Sequence, residues 1–141
     1  MVRLSEIKTQ VGKIFLITGA NSGLGYETSK FLLERGATVI MCCRDLVKGK
    51  EAKQELLKSN FSGKIELLEL DLSDLKKVKE FASFIKNKYK YLDVLINNAG
   101  IMAPPKTLSK QGLEIQFAVN HLAHMCLTLE LLPLLEEKNN S

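Results

Sequence analysis

The sequence predicts a doubly wound α/β fold on a parallel sheet, and three observations carry that expectation. Short apolar runs alternate along the chain with longer segments that keep a helical period. A glycine-rich loop joins the first apolar run to the first helical segment. The 141 residues are 45% hydrophobic and 26% charged with three prolines, an ordinary globular composition that excludes disorder, collagen-like repeats and low complexity.

The elements follow in order. Lys13-Ile14-Phe15-Leu16-Ile17-Thr18 is a continuous apolar run ending in glycines and reads as a buried strand. Gly23 to Arg35 keeps Leu24, Thr28, Phe31 and Leu32 on one helical face and stops at Gly36, a residue suited to ending a helix. Thr38 to Cys43 is a second buried strand, and Asp45 is placed to cap a helix running to about Ser59. Ile65 to Leu70 is a third strand, interrupted by Glu66 and Glu69 as a sheet edge tolerates. Ser73 is expected to cap a helix that buries Leu75, Val78, Phe81, Ala82, Ile85 and Tyr89.

Val94-Leu95-Ile96-Asn97 is a fourth strand, apolar on both faces like an interior strand. From about Leu113 a long helix puts Ile115, Ala118, Val119, Leu122, Cys126 and Leu129 on one stripe, with Pro133 expected to kink or end it. Right-handed crossovers then give the strand order 3-2-1-4, with the fourth strand as a bare edge. That edge and the apolar stretch Leu127 to Leu135 make the chain read as one unfinished domain spanning 1–141.

The formal charge of +4 is spread along the chain, as in Lys76-Lys77 and in Lys86, Lys88 and Lys90, which excludes a nucleic-acid groove and suits a small anionic ligand. Charges interrupt the apolar runs before they reach the roughly 18 residues of a membrane span, and the N-terminus lacks a signal-peptide core. Cys42, Cys43 and Cys126 have no ligand-type spacing and read as reduced, buried thiols of a cytoplasmic protein. His121 and His124 lack partners at metal-ligand spacing, so no metal site is expected and both read as partly buried or surface residues.

The loop Thr18-Gly19-Ala20-Asn21-Ser22-Gly23-Leu24-Gly25 carries the chemistry. Its glycines permit a tight turn, close approach of a pyrophosphate and close packing of helix on strand. The helix that it opens adds unpaired N–H groups and a partial positive charge for phosphate.

The spacing of Thr18, Gly19, Gly23 and Gly25 resembles the cofactor fingerprint of the short-chain dehydrogenases/reductases, a family of Rossmann fold. Asn97-Asn98-Ala99-Gly100, Asp71 and the helix-borne Asn120 resemble three further signatures of that family, in order, between about Gly12 and Glu137. Cys43-Arg44-Asp45, Lys48-Gly49 and Asn120-His121-Leu122 resemble its retinol-dehydrogenase and protochlorophyllide-reductase branch, whose members act on lipophilic carbonyls and alcohols or on a conjugated double bond. The resemblance implies a nicotinamide dinucleotide held by Gly19, Asn21, Ser22, Gly23, Leu24 and Gly25. It also implies that Asp71 and the Leu72 backbone meet adenine, and that Asn98, Ala99 and Gly100 lie beside nicotinamide. Asn97 is expected to tie adjacent strands, and Asn120 is the implied catalytic asparagine.

Dinucleotide folds often hold the ribose 2′-hydroxyl with an acidic residue ending the second strand. Here Cys43 stands at that end and Arg44 follows, with Lys48 one turn into the next helix, so NADP(H) is expected over NAD(H). Asp45 is expected to cap the helix instead of touching the ligand.

The implied reaction is hydride transfer between nicotinamide and a small carbonyl or alcohol substrate. The family's serine, tyrosine and lysine would lie beyond Ser141, so the 141-residue chain by itself is expected to be inactive. Tyr26 and Lys30 have the Tyr-x-x-x-Lys spacing but lie on the helix after the glycine loop, where an ordinary surface pair explains them. The resemblance also implies a homo-oligomer packed through the last helix, given a complete domain. The alternative is a naturally short, non-catalytic dinucleotide-binding or interaction module that offers its open edge to a partner.

Overall fold

The computed structural model describes residues 4–137. Four parallel strands, β1 (Ile14–Thr18), β2 (Thr38–Cys43), β3 (Lys64–Glu69) and β4 (Val94–Ile96), form a sheet in the order β3-β2-β1-β4. The helices are α1 (Gly23–Glu34), α2 (Leu46–Leu57), α3 (Leu75–Lys88), α4 (Ile115–Phe117) and α5 (Ala123–Glu137). A π-turn, Ala118–Leu122, joins α4 to α5.

Strand parity divides the core in two. Phe15 and Ile17 of β1, with Val39 and Met41 of β2, pack against Leu32 and Leu33 of α1 and Ala52 and Leu56 of α2. Leu16 and Ile40 face the other way, against Val78, Ala82 and Ile85 of α3 and Leu127 and Leu131 of α5. Leu16, Ile17 and Ile40 have no exposed surface, and each such side chain contributes about 1.5–3 kcal/mol relative to an exposed one.

Both sheet edges carry their expected strands. On β3, the Glu66 carboxylate accepts from the Tyr89 hydroxyl and the Lys88 ammonium, which provides for a charge at that edge. Burial pushes the Tyr89 hydroxyl above its ordinary range, and the Glu66 carboxylate adds to the shift. β4 pairs with β1 through Phe15↔Val94, Leu16↔Leu95 and Ile17↔Ile96. Its three residues are half-buried, as an edge requires, despite their interior-strand composition.

The α3 cap differs from expectation. Asp74, not Ser73, accepts from Lys76 N at 3.0 Å, and Gln111 Oε1 takes Leu75 N at 3.1 Å. Because α3 begins at Leu75, Asp74 holds the N-cap position, and Ser73, one residue earlier, donates its hydroxyl to Asp71 Oδ1 at 2.6 Å.

The last helix corrects three further expectations. Its predicted apolar stripe through Leu122, Cys126 and Leu129 is displaced: Ala123, Leu127, Leu131 and Leu134 are buried, and Leu129 is 61% exposed. The π-turn inserts one residue into the helical repeat, which rotates the downstream face by about 100°. Cys126 is accordingly only partly buried. Pro133 does not end α5, which continues to Glu137 with the proline on its exposed face, where water can take the carbonyl that its missing N–H leaves.

The stretch Ile115–Glu137 is one helix of 23 residues, long and apolar enough by length and composition to cross a membrane, contrary to the expectation that charges interrupt every such run. In this fold its buried residues pack on the sheet and on α3, and Lys86 Nζ bonds Glu130 Oε2 at 2.9 Å across that contact.

Candidate functional site

A cleft of ≈ 430 Å³ opens at the carboxyl ends of the strands, where ligands bind in open α/β sheets. β1 contributes Thr18 and the turn after it, including Gly19, Asn21, Ser22 and Leu24. Cys42, Cys43 and Arg44 come from the end of β2, Leu70 to Ser73 from the end of β3, and Asn98 to Ile101 from the end of β4. Ile115 and Val119 close the far side.

The turn after β1 is built for close contact. Gly19 has φ +64°, and a Cβ there would lie 2.9 Å from Ala99 Cα. At Gly25 a Cβ would meet Gly19 O at 2.4 Å and Asn98 Nδ2 at 2.5 Å, so the first turn of α1 packs directly on the loop that precedes it.

Helix capping separates α1 from its neighbours. Asp45 Oδ1 accepts from Val47 N and Lys48 N, as expected, and Asp74 caps α3. Ser22, at the N-cap of α1, makes no side-chain capping bond. The first-turn N–H groups of α1 therefore have no side-chain cap from Ser22 at the positive end of the helix.

At the end of β2, Cys43 is buried with its thiol against Gly49, and Cys43 Sγ lies 3.3 Å from Asp45 O. Burial pushes the Cys43 thiol up, with the nearby Asp45 carboxylate adding to the effect, so it presents a neutral wall. Arg44 lines the cleft beside it, whereas Lys48 is not among the lining residues. Asp71 also lines the cleft, and its Oδ1 takes both Ser73 N at 2.9 Å and Ser73 Oγ at 2.6 Å.

Asn98 keeps its expected place in the cleft and also takes the strand-tying role expected of Asn97. Asn98 Nδ2 donates to Thr18 O at 3.0 Å and Gly19 O at 3.2 Å, so Asn98 ties the β1 and β4 ends together while lining the cleft. Asn97, expected to tie strands, donates from Nδ2 to Thr128 Oγ1 on α5 at 3.0 Å. β4 ends at Ile96, Asn98 N bonds Ile96 O at 3.0 Å in the turn that follows, and of the two only Asn98 reaches the neighbouring loop.

Asn120 stands in the middle of the π-turn, a feature frequent at functional sites. Its Oδ1 accepts from Ile101 N at 2.9 Å and its Nδ2 donates to Ile101 O at 2.8 Å. It borders the cleft through Ile101, and a Cβ on Gly100 would stand 3.5 Å from its Oδ1. Gly23 has φ +54° and open space around its Cα, and shapes the turn without lining the cleft. Tyr26 and Lys30 are absent from the lining, and Tyr26 packs against the α1/α2 cluster. Among the described residues, no group of three or more His, Cys, Asp or Glu could hold a metal.

A model of the short chain dehydrogenase family matches residues 13–141. This chain belongs to the short-chain dehydrogenases. It is 44% identical over 126 residues to retinol dehydrogenase 12 of Mus musculus, covering 89% of this chain and 40% of that protein. Among solved structures, a Mycobacterium paratuberculosis protein superposes with TM-score 0.81 at 44% identity, over 94% of this chain and 46% of that one. The NADP active-site complex of Pseudomonas aeruginosa RhlG superposes with TM-score 0.74 at 29% identity, over 89% of this chain and 49% of that one. The chain thus spans 40% of the length of the curated relative and resembles the retinol-dehydrogenase branch of its family.

Sequence reasoning placed Gly19, Asn21, Ser22, Leu24, Arg44, Asp71, Leu72, Asn98, Ala99 and Gly100 together, and the fold brings all of them to one cleft. It missed the apolar wall of Ile115 and Val119, and it missed the role of His124. That histidine is buried, with Nε2 2.9 Å from Thr18 Oγ1. A hydroxyl ending a buried strand was the available signal, since it needs a partner on whichever helix covers that face.

Proposed function

We propose that this chain forms the NADP(H)-binding part of an oxidoreductase that transfers hydride between nicotinamide and a carbonyl or alcohol, of lipophilic type. The observation that carries the reading is the pairing of an uncapped α1 N-terminus with an arginine, and no carboxylate, at the end of β2. The first suits a pyrophosphate. The second suits a 2′-phosphate, for which Arg44 offers a fork of donors beside the neutral Cys43.

The cleft fits such a cofactor in shape as well. Gly19 and Gly25 remove the Cβ atoms that would fill the cradle, and Asp71 and Leu72 line the cleft after β3, which supports their role beside adenine. When bound, the dinucleotide supplies or accepts the hydride. Gly100 leaves room at the nicotinamide end, and Asn120 holds the Ile101 peptide there through two hydrogen bonds. The likeness to the NADP complex of RhlG supports this cofactor, and the likeness to retinol dehydrogenase 12 supports a lipophilic substrate.

Calorimetric titration with NADPH and NADH tests the proposal. The expected result is tighter NADPH binding, with the preference lost in Arg44→Asp. Equal losses for both cofactors in that variant would remove Arg44 from the site. Asn120 is the one member of the family's catalytic set that we assign among the described residues, so this polypeptide alone is expected to show little or no turnover. Efficient NADPH-dependent reduction of a carbonyl by the isolated chain would overturn that expectation.

A further inference from the structure

Thr18 shares the parity of Leu16 and so faces α5, where His124 is buried with 6% exposure. Its hydroxyl oxygen accepts from Asn98 N at 3.0 Å and from Ala99 N at 2.9 Å. Both lone pairs are then in use, and the hydroxyl hydrogen is left for His124 Nε2 at 2.9 Å. Nε2 must accept, which puts the ring proton on Nδ1. That atom lies 3.3 Å from Asn120 O, a group that can only accept, so the two ends of the ring require the same neutral tautomer.

One turn along α5, Thr128 Oγ1 donates to His124 O at 2.7 Å and accepts from Asn97 Nδ2 at 3.0 Å. Two side chains at i, i+4 therefore bind α5 to the carboxyl ends of β1 and β4. They set the rotation of the helix, and with it the position of the π-turn that carries Asn120.

We propose that His124, neutral and protonated on Nδ1, is a positioning residue that ties the glycine-loop end of β1 to Asn120 and holds the dinucleotide cradle and the asparagine in one relative geometry. The functional part of this proposal rests on the reading of the cleft given above. His124 touches neither cofactor nor substrate in it. Its effect passes through the Thr18 hydroxyl on one side and the Asn120 peptide on the other.

The test uses the 141-residue chain. Long-range proton–nitrogen correlation of the histidine rings is expected to show His124 as the Nδ1–H tautomer near neutral pH, and an Nε2–H ring would overturn the proposal without any variant. His124→Phe keeps a ring of similar size and loses both bonds, whereas His124→Gln restores an acceptor at the Nε2 position. The Phe variant is expected to weaken NADPH binding about tenfold, near the value of one buried hydrogen bond, and to speed hydrogen exchange at the Ile101 amide. The Gln variant is expected to recover both. Equal behaviour of the Phe variant and the unmodified chain, or no recovery in the Gln variant, would overturn it. Absence of NADPH binding by the unmodified chain would overturn the reading of the cleft but not the tie, which Ile101 exchange reports by itself.

Discussion

Asn120 brackets the peptide of Ile101, with Oδ1 accepting from Ile101 N at 2.9 Å and Nδ2 donating to Ile101 O at 2.8 Å. A side-chain amide thus does the work of a paired strand, holding the segment after β4 against the π-turn. Asn120→Asp keeps the acceptor and sets its second oxygen against the Ile101 carbonyl. It is expected to cost about 1–2 kcal/mol in urea denaturation, more than Asn120→Ala, because water can reach this exposed site and replace the lost bonds in the alanine variant.

Capping predicts opposite outcomes at two helix starts. Asp45→Ala removes the acceptor for Val47 N and Lys48 N and is expected to lower stability by about 1 kcal/mol. Ser22→Ala removes no capping bond, so its melting temperature is expected to stay near that of the unmodified chain. A large fall in the Ser22 variant would contradict the uncapped start of α1.

The glycines separate packing from ligand approach. Gly25→Ala drives a Cβ to within 2.4 Å of Gly19 O and is expected to destabilise the chain by about 1–3 kcal/mol. Gly100→Ala meets only the Asn120 side chain, Oδ1 at 3.5 Å and Cγ at 3.9 Å, both ordinary contacts, and stability is expected to change by no more than about 0.5 kcal/mol. NADPH affinity should nevertheless fall in that variant, because the added methyl occupies the nicotinamide end of the proposed site. Titration and denaturation of the same two variants distinguish these effects.

His124 gives stability a dependence on pH. Burial lowers its native value below 6.5, outweighing the opposing hydrogen bond to Asn120 O. Between that lowered value and 6.5 the unfolded chain binds more protons than the folded one. The stability that His124 contributes is thus full above 6.5 and is lost as the pH falls through the lowered native value. Denaturation midpoints across this range are expected to fall less steeply for His124→Gln. Parallel slopes would show that another group carries the dependence.

Element type and order were legible in the sequence because they follow from local repeats. Alternation within Ile14 to Thr18 sorts side chains between two cores, and the 3.6-residue period of Leu75 to Lys88 marks a single buried face. The glycine loop was legible for a similar reason, since its demands on the backbone are met within a few residues. The same logic failed after Ala118, where one inserted residue turned the buried stripe from Cys126 and Leu129 to Leu127 and Leu131.

What only the tertiary structure decided was which polar group finds which. Ser73 could have capped α3, but the helix begins one residue later and Asp74 takes the position. Asn97 and Asn98 are adjacent and chemically identical, yet one reaches α5 and the other the glycine loop. Thr18 and His124 lie 106 positions apart in sequence, and their pairing exists because β1 and α5 bury facing surfaces. A repeat along one element is a local property, whereas a hydrogen bond between elements depends on distances that exist only once the sheet and helices have packed.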